Sequence, residues 1–154
     1  MRRLPLPPDP QPRDDHGNVI PHDHSGIMAD DGVIRRISEQ QLVIDQRTGG
    51  RRISSLAFKA STGPNAGMSV DLEQSIVEAG LDPRTYVTTP RWFGSIRFRA
   101  EDLRIEMFQV GFDPIPDNPH HGQVWGNFTR QRRRRLRELC TWFVPIENAE
   151  IGQE

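Results

Sequence analysis

Two of the chain's five histidines, His120 and His121, stand side by side in the stretch DPIPDNPHHGQVWG, residues 113–126. A neutral imidazole near pH 7 is the usual general acid or base, and a usual hydrogen-bond partner for a ribose or a phosphate. Pro114, Pro116 and Pro119 stiffen the approach, and Gln123-Val124-Trp125 alternates as a strand does. Neighbours on a strand point to opposite faces, so one ring is expected to reach a cleft while the other faces water. His120 and His121 are therefore the candidate catalytic residues. The plainer alternative is a turn whose polar tips are solvated.

A second set could grip an anion. Arg51 and Arg52 follow a Gly-Gly turn, Ser54 and Ser55 come next, and Ser69 lies beyond the following loop. A guanidinium holds phosphate or carboxylate through paired N–H groups, and glycines let backbone amides approach the same group. Of Arg35 and Arg36, on an expected strand of β-branched residues, one must face inward and needs an acidic or anionic partner. The candidate substrate-binding residues are Arg36, Arg51, Arg52, Ser54, Ser55 and Ser69. A surface turn with solvated arginines is the competing explanation.

Other chemistry has less to stand on. His22 and His24 would share one side of an extended segment, but no further ligand spacing completes a zinc motif, so no metal is expected. The single Cys140 excludes an internal disulfide and falls on an apolar stripe, as a small hydrophobe. No GxSxG, Walker or GxGxxG motif occurs, and no cofactor is indicated.

For partners, Trp92-Phe93 reads as an exposed-looking aromatic pair that either plugs the core or anchors an interface. The run RQRRRRLREL places Arg132, Arg133 and Arg134 on a helix. Its arginines spread round most of that helix without interleaved aromatics, and the formal net charge is −1. Solvated arginines over the core, or a patch for an acidic partner protein, suit this helix better than nucleic acid. The bias of nineteen arginines to one lysine, Lys59, is what a GC-rich bacterial genome produces.

These residues need elements to position them. Residues 1–28 carry six prolines and no helical periodicity, which predicts an extended arm. Residues 29–146 read as one α+β domain with a short mixed or antiparallel sheet and two to three helices, and 147–154 as a flexible tail. Strands are expected at 32–37, 41–45, 95–100 and 122–128. Helices are expected at 71–79, with Ser69 or Asp71 as N-cap, Asp71 and Gln74 fitting a capping box and Gly80 as the stop, at 101–111, where the alternative is a strand prolonged through Ile105, and at about 129–142. The stripe Leu136, Leu139, Cys140 and Phe143 faces the core in the last of these. No run is long enough to span a membrane and no secretory leader is evident, which points to a soluble cytoplasmic protein.

IRRI, RRISSLAF, MSVD and NPHHGQVWG before a basic helix resemble, over residues 32–143, a group of short bacterial proteins of unassigned function. More distantly the pattern is similar to RES-type ADP-ribosyltransferase folds. That resemblance implies Arg36 on the phosphates of NAD, Ser69 or one of Ser54 and Ser55 at the nicotinamide ribose, and His121 or Glu73 completing the site. The pattern departs in its tyrosine, since Tyr86 is the only one, and offers no assignable catalytic glutamate.

The favoured expectation is a non-catalytic interaction component of a bacterial toxin, defence or effector module, with a protein partner or a second copy of itself. The alternatives are a small enzyme or effector on a nucleotide-type substrate, or nucleic-acid binding through the arginine helix. An enzyme should bring His121, Arg36 and the serines to one concave pocket.

Overall fold

The computed structural model describes residues 11–153. The protein is α+β, and its described residues form two sheets and four helices. The strands are β1 (Gly32–Ile37), β2 (Leu42–Ile44), β3 (Arg51–Ile53), β4 (Met68–Leu72), β5 (Gly94–Arg99), β6 (Gln109–Phe112), β7 (His121–Trp125), β8 (Thr141–Val144) and β9 (Ala149–Glu150). The helices are α1 (Glu73–Glu78), α2 (Pro83–Tyr86), α3 (Ala100–Ile105) and α4 (Arg130–Leu139). Among the described residues no helix is long and apolar enough to cross a membrane.

Six strands form one antiparallel sheet in the order β6-β7-β4-β1-β5-β8, and β2-β3-β9 form a smaller one. Alternation along the strands loads both faces of the large sheet. Val33, Ile37, Val70, Leu72, Ile96 and Phe98 join Phe58, Leu103 and Leu136 in the main core. Ile34 packs on the other face with Ile76, Val87 and Phe143. A sheet buried on both sides explains why GVIRRI reads as a near-continuous apolar run around its two arginines.

One irregularity shapes the site. β1 pairs with β5 through six residues, from Gly32↔Arg99 to Ile37↔Gly94, but with β4 through only Val33↔Leu72 and Ile34↔Asp71. Beyond Ile34 the two strands part, and β4 continues alongside β7 from Asp71↔His121 to Met68↔Val124. The sheet therefore opens into a fork between β1 and β4, at the level of Arg35 and Arg36.

Three expected helices are corrected. α1 starts at Glu73, because Asp71 and Leu72 belong to β4, and Asp71 caps nothing. Gly80 does stop that segment, at φ +79°. The expected 101–111 helix ends at Ile105. Met107 adopts φ +68°, and Gln109–Phe112 then pair with β7 as β6. α4 ends at Leu139, and Thr141–Val144 pair with β5. Cys140 and Phe143 reach the interior from an extended chain, not from a helical stripe. In each case a free strand edge outbid local helix periodicity, because pairing satisfies backbone groups that would otherwise be buried unbonded.

The termini of the described chain join the body. Residues 11–28 hold one isolated bridge, Arg13↔Val19, yet Val19 and Ile27 are buried. His24 N–H donates to the Val110 carbonyl (2.9 Å), and the Val110 amide donates to the Asp23 carboxylate (3.0 Å). His22 Nε2 accepts the Phe112 amide at 3.3 Å. This segment thus covers the outer edge of β6, where unpaired amides would otherwise invite another strand. Beyond 147, in place of a flexible tail, β9 runs parallel to β3, and Ile151 packs against the core.

Candidate functional site

The fork holds a cleft of about 520 Å³ lined by Arg35, Arg36, Ser61, Ser69, Val70, Asp71, Trp92, Ile115, Asp117, Asn118 and His121. Its floor is the parting of β1 and β4, and one wall is the proline-rich turn. Ile115 and Asn118 exchange both backbone hydrogen bonds, at 3.1 and 2.9 Å, so Pro116 and Asp117 form the tip. Proline presets the backbone angle such a turn requires at its second position.

Arg36 is held across the fork by Asp71, with Nε to Oδ2 at 2.8 Å and Nη2 to Oδ1 at 3.0 Å. Asn118 Nδ2 donates to the same Asp71 oxygen, Oδ1, at 2.7 Å, and the Tyr86 hydroxyl donates to Asn118 Oδ1 at 2.6 Å. The Arg36 guanidinium lies 5.7 Å from the Tyr86 ring centroid. Burial first, and then the charge of Asp71, push the Tyr86 phenol up, so it remains a donor. Arg36 thus has the acidic partner that an inward arginine needs.

The two histidines have parted company. His120 is buried, with Nδ1 2.7 Å from the Ser75 hydroxyl and its ring edge-on to Tyr86 at 5.1 Å. Burial pulls its pKa below 6.5, partly offset by Asp71. The expectation that the second ring faces solvent is corrected: α1 and Tyr86 cover it, and His120 lies outside the cleft lining. His121 is the one that lines the cleft.

His121 is also oriented. Its Nδ1 lies 2.7 Å from the Asp113 carbonyl and 3.6 Å from the Asp113 carboxylate. A carbonyl can only accept, so the neutral ring carries its proton on Nδ1 and keeps a lone pair on Nε2. Gln123 Nε2 donates to the Asp113 carboxylate at 2.5 Å and holds it in turn.

Arg35 occupies the fork differently from Arg36. Its Nε donates to the Ala57 carbonyl (3.0 Å) and its Nη1 to the Ser69 carbonyl (2.9 Å). The second bond takes up a β4 carbonyl in the stretch from which β1 has diverged, and the first ties the fork to the 3-10 turn at 55–57. Burial lowers the Arg35 pKa to about 10, which leaves it charged at neutral pH.

Of the candidate site residues read from the sequence, Arg36, Ser69, His121 and Trp92 line this one cleft, and so does Arg35. The others do not. Arg51 sits on the small sheet and bonds Glu39 at 3.0 Å and the Glu147 carbonyl at 3.3 Å. Arg52 reaches the Ile53 carbonyl. Ser54 caps the short 3-10 turn at 55–57 that contains Ser55, accepting the Leu56 amide at 3.1 Å. Trp92 is half-buried against the cleft and Phe93 packs on the main core, so the pair is not exposed, and for Phe93 the core-plug alternative is the one the structure shows. Glu73 pairs with Arg97 at 3.1 Å.

On α4, Arg132 and Arg133 bond the carbonyls of Asn127 and Phe128. Arg134 lines a surface crevice with Glu106 and Glu138. Among the described residues, no three His, Cys, Asp or Glu side chains come together as metal ligands. His22 instead packs on Trp125, at 5.1 Å between ring centroids.

Sequence reasoning missed Asp113, Asn118 and Asp117. All three lie within eight residues of His121 in the same proline-rich stretch, and that proximity was the available signal. Asp71 was misread as a helix cap. Set against family models, curated proteins and solved structures, the chain has no match in any of the three comparisons.

Proposed function

We propose that the fork cleft binds a small nucleotide-type ligand and that His121 exchanges a proton with it. The observation that carries this reading is the convergence of an oriented imidazole, two arginines, two serine hydroxyls and an indole on one cleft. His121 Nε2 makes no hydrogen bond among the described residues, while Nδ1 is fixed by Asp113. A hydroxyl or water held near Ser69 can pass its proton to that lone pair. The Asp113 carboxylate then stabilises the imidazolium. Trp92 offers a flat apolar surface on which a base ring can lie.

Native mass spectrometry of the full chain, alone and with NAD, AMP or adenosine, tests this. The expected result is a retained nucleotide mass. If NAD is consumed, His121→Ala should slow its loss by about 10²–10⁴-fold, the usual share of a proton-transferring side chain. No retained nucleotide at millimolar concentration would overturn the reading.

An interaction role, the favoured expectation from sequence, keeps one observation in its support. Arg130 and Arg134 are exposed on α4 and ion-pair with no acid among the described residues. A dimer mass, or mass gained from an acidic peptide and lost with Arg134→Glu, would favour that role.

A further inference from the structure

We infer that Arg35 is the seat of an oxyanion, such that the ligand of the fork cleft enters with a phosphate or carboxylate group on this guanidinium. The inference rests on the cleft being a ligand site, and adds which residue takes which part of the ligand.

Among the described residues, Arg35 is the one cleft-lining arginine whose charge meets no carboxylate. Arg36 lies bidentate on Asp71, so that pair is close to neutral as seen from the cleft. Arg35 has only the carbonyls of Ala57 and Ser69, and no carboxylate among the described residues lies within ion-pair distance of it. Two backbone dipoles orient a guanidinium, but they do not cancel its charge. A guanidinium has five N–H donors, and these bonds occupy one on Nε and one on Nη1. The donors left over are all on Nη1 and Nη2, whose pairing suits the two oxygens of a phosphate or carboxylate.

The surroundings fit the same occupant. Ser61 and Ser69 line the cleft, and neither hydroxyl has a hydrogen bond among the described residues. Each can donate to an anionic oxygen. The partial burial that lowers the Arg35 pKa to about 10 also weakens water's competition for its charge, so an anion binds more strongly here than at an exposed arginine. Asp117 is exposed at the rim on the tip of the turn. As an acceptor it suits a sugar hydroxyl or an exocyclic amine and would repel a second anionic group. The cleft therefore favours a ligand with a single anionic end, a hydroxylated middle and a ring against Trp92.

Amide and Arg Nε–H NMR on the full chain, titrated with inorganic phosphate, acetate and adenosine in separate arms, tests the inference. Phosphate should shift the Arg35 Nε–H, the Ser61 and Ser69 amides and the Trp92 indole together and saturably. Acetate giving the same shifts at equal or lower concentration assigns the seat to carboxylates; phosphate acting alone assigns it to phosphates. Arg35→Gln should weaken the phosphate response at least 10-fold, and Arg35→Lys should restore part of it, which separates charge from folding. Phosphate shifts that persist in Arg35→Gln, or none in a wild-type chain that binds adenosine, would overturn the inference and leave the ligand site standing. Phosphate seated on Arg35 with no response to any nucleoside or nucleotide would uphold it while sinking the nucleotide reading.

Discussion

Arg36 and Asp71 face each other across the fork between β1 and β4, joined by two hydrogen bonds of 2.8 and 3.0 Å. The pair closes one side of an opening that backbone pairing leaves unsealed, and Asn118 ties the proline-rich turn to the same carboxylate. Asp71 keeps only 5% of its side-chain surface exposed and Arg36 23%, so Asp71 has little access to water when its partner is removed, and Arg36 only the cleft side.

Asp71→Ala should therefore lower unfolding stability by about 3 kcal/mol, the order expected when one half of a buried pair is deleted. Arg36→Ala should lower it by a similar amount. The double variant should lose at least 1 kcal/mol less than the sum, because each single change strands the other charge. Urea unfolding of the four proteins measures this, and strict additivity would show that the pair is not coupled.

His120 makes stability depend on pH. Its folded pKa is held below the ordinary 6.5, first by burial. As pH falls through 6.5 the unfolded chain takes up the proton first, so the contribution is complete above 6.5 and drains away towards the folded pKa. Thermal unfolding between pH 7.5 and 5 should show a falling midpoint, and His120→Gln should flatten that fall over the same window. An unchanged slope in the variant would remove His120 as its source.

Gly111 lets the N-terminal segment sit on the sheet. A Cβ built there would stand 2.5 Å from His22 Nε2, the atom that accepts the Phe112 amide. Gly111→Ala should cost roughly 1–3 kcal/mol through overpacking. It should also expose residues 11–28 to limited proteolysis before the body is cut. Cleavage at the wild-type rate would show that the segment is not held through this contact.

Cys140 should be silent to thiol reagents in the native protein. Burial raises its pKa to about 12, and the thiolate is the reacting form. A colorimetric disulfide reagent at pH 8 should label it only after urea unfolds the chain. Rapid native labelling would show that the interior around α4 and β8 opens readily.

β1 and β5, which meet through six consecutive pairs, were legible for different reasons: the β-branched run of GVIRRI, and the apolar–basic alternation of SIRFR. Gly80 was legible for a local reason, a backbone angle of +79° that few other residues adopt. Helix ends were not. SVDLEQ, EMFQVG and LCTWF each carry a helical stripe, yet β4, β6 and β8 claim part of each. Whether such a segment coils or extends depends on whether a strand edge lies beside it, and no local window contains that information.

The same division governs the candidate site. The residue types, the stiff turn and the presence of an inward arginine at 35 or 36 are written in the sequence. Which imidazole meets the cleft and which lies under Tyr86 depends on the Asp71↔His121 register, since a shift of one residue exchanges every side chain between the two faces. That Arg51, Arg52, Ser54 and Ser55 stand apart follows from β3 joining the small sheet. The sequence by itself determined the inventory of chemical groups and the local turns that hold some of them. Only the tertiary structure decided which groups share a cleft, because the fork forms where long-range pairings compete for β1 and β4 and neither strand encodes the other's path.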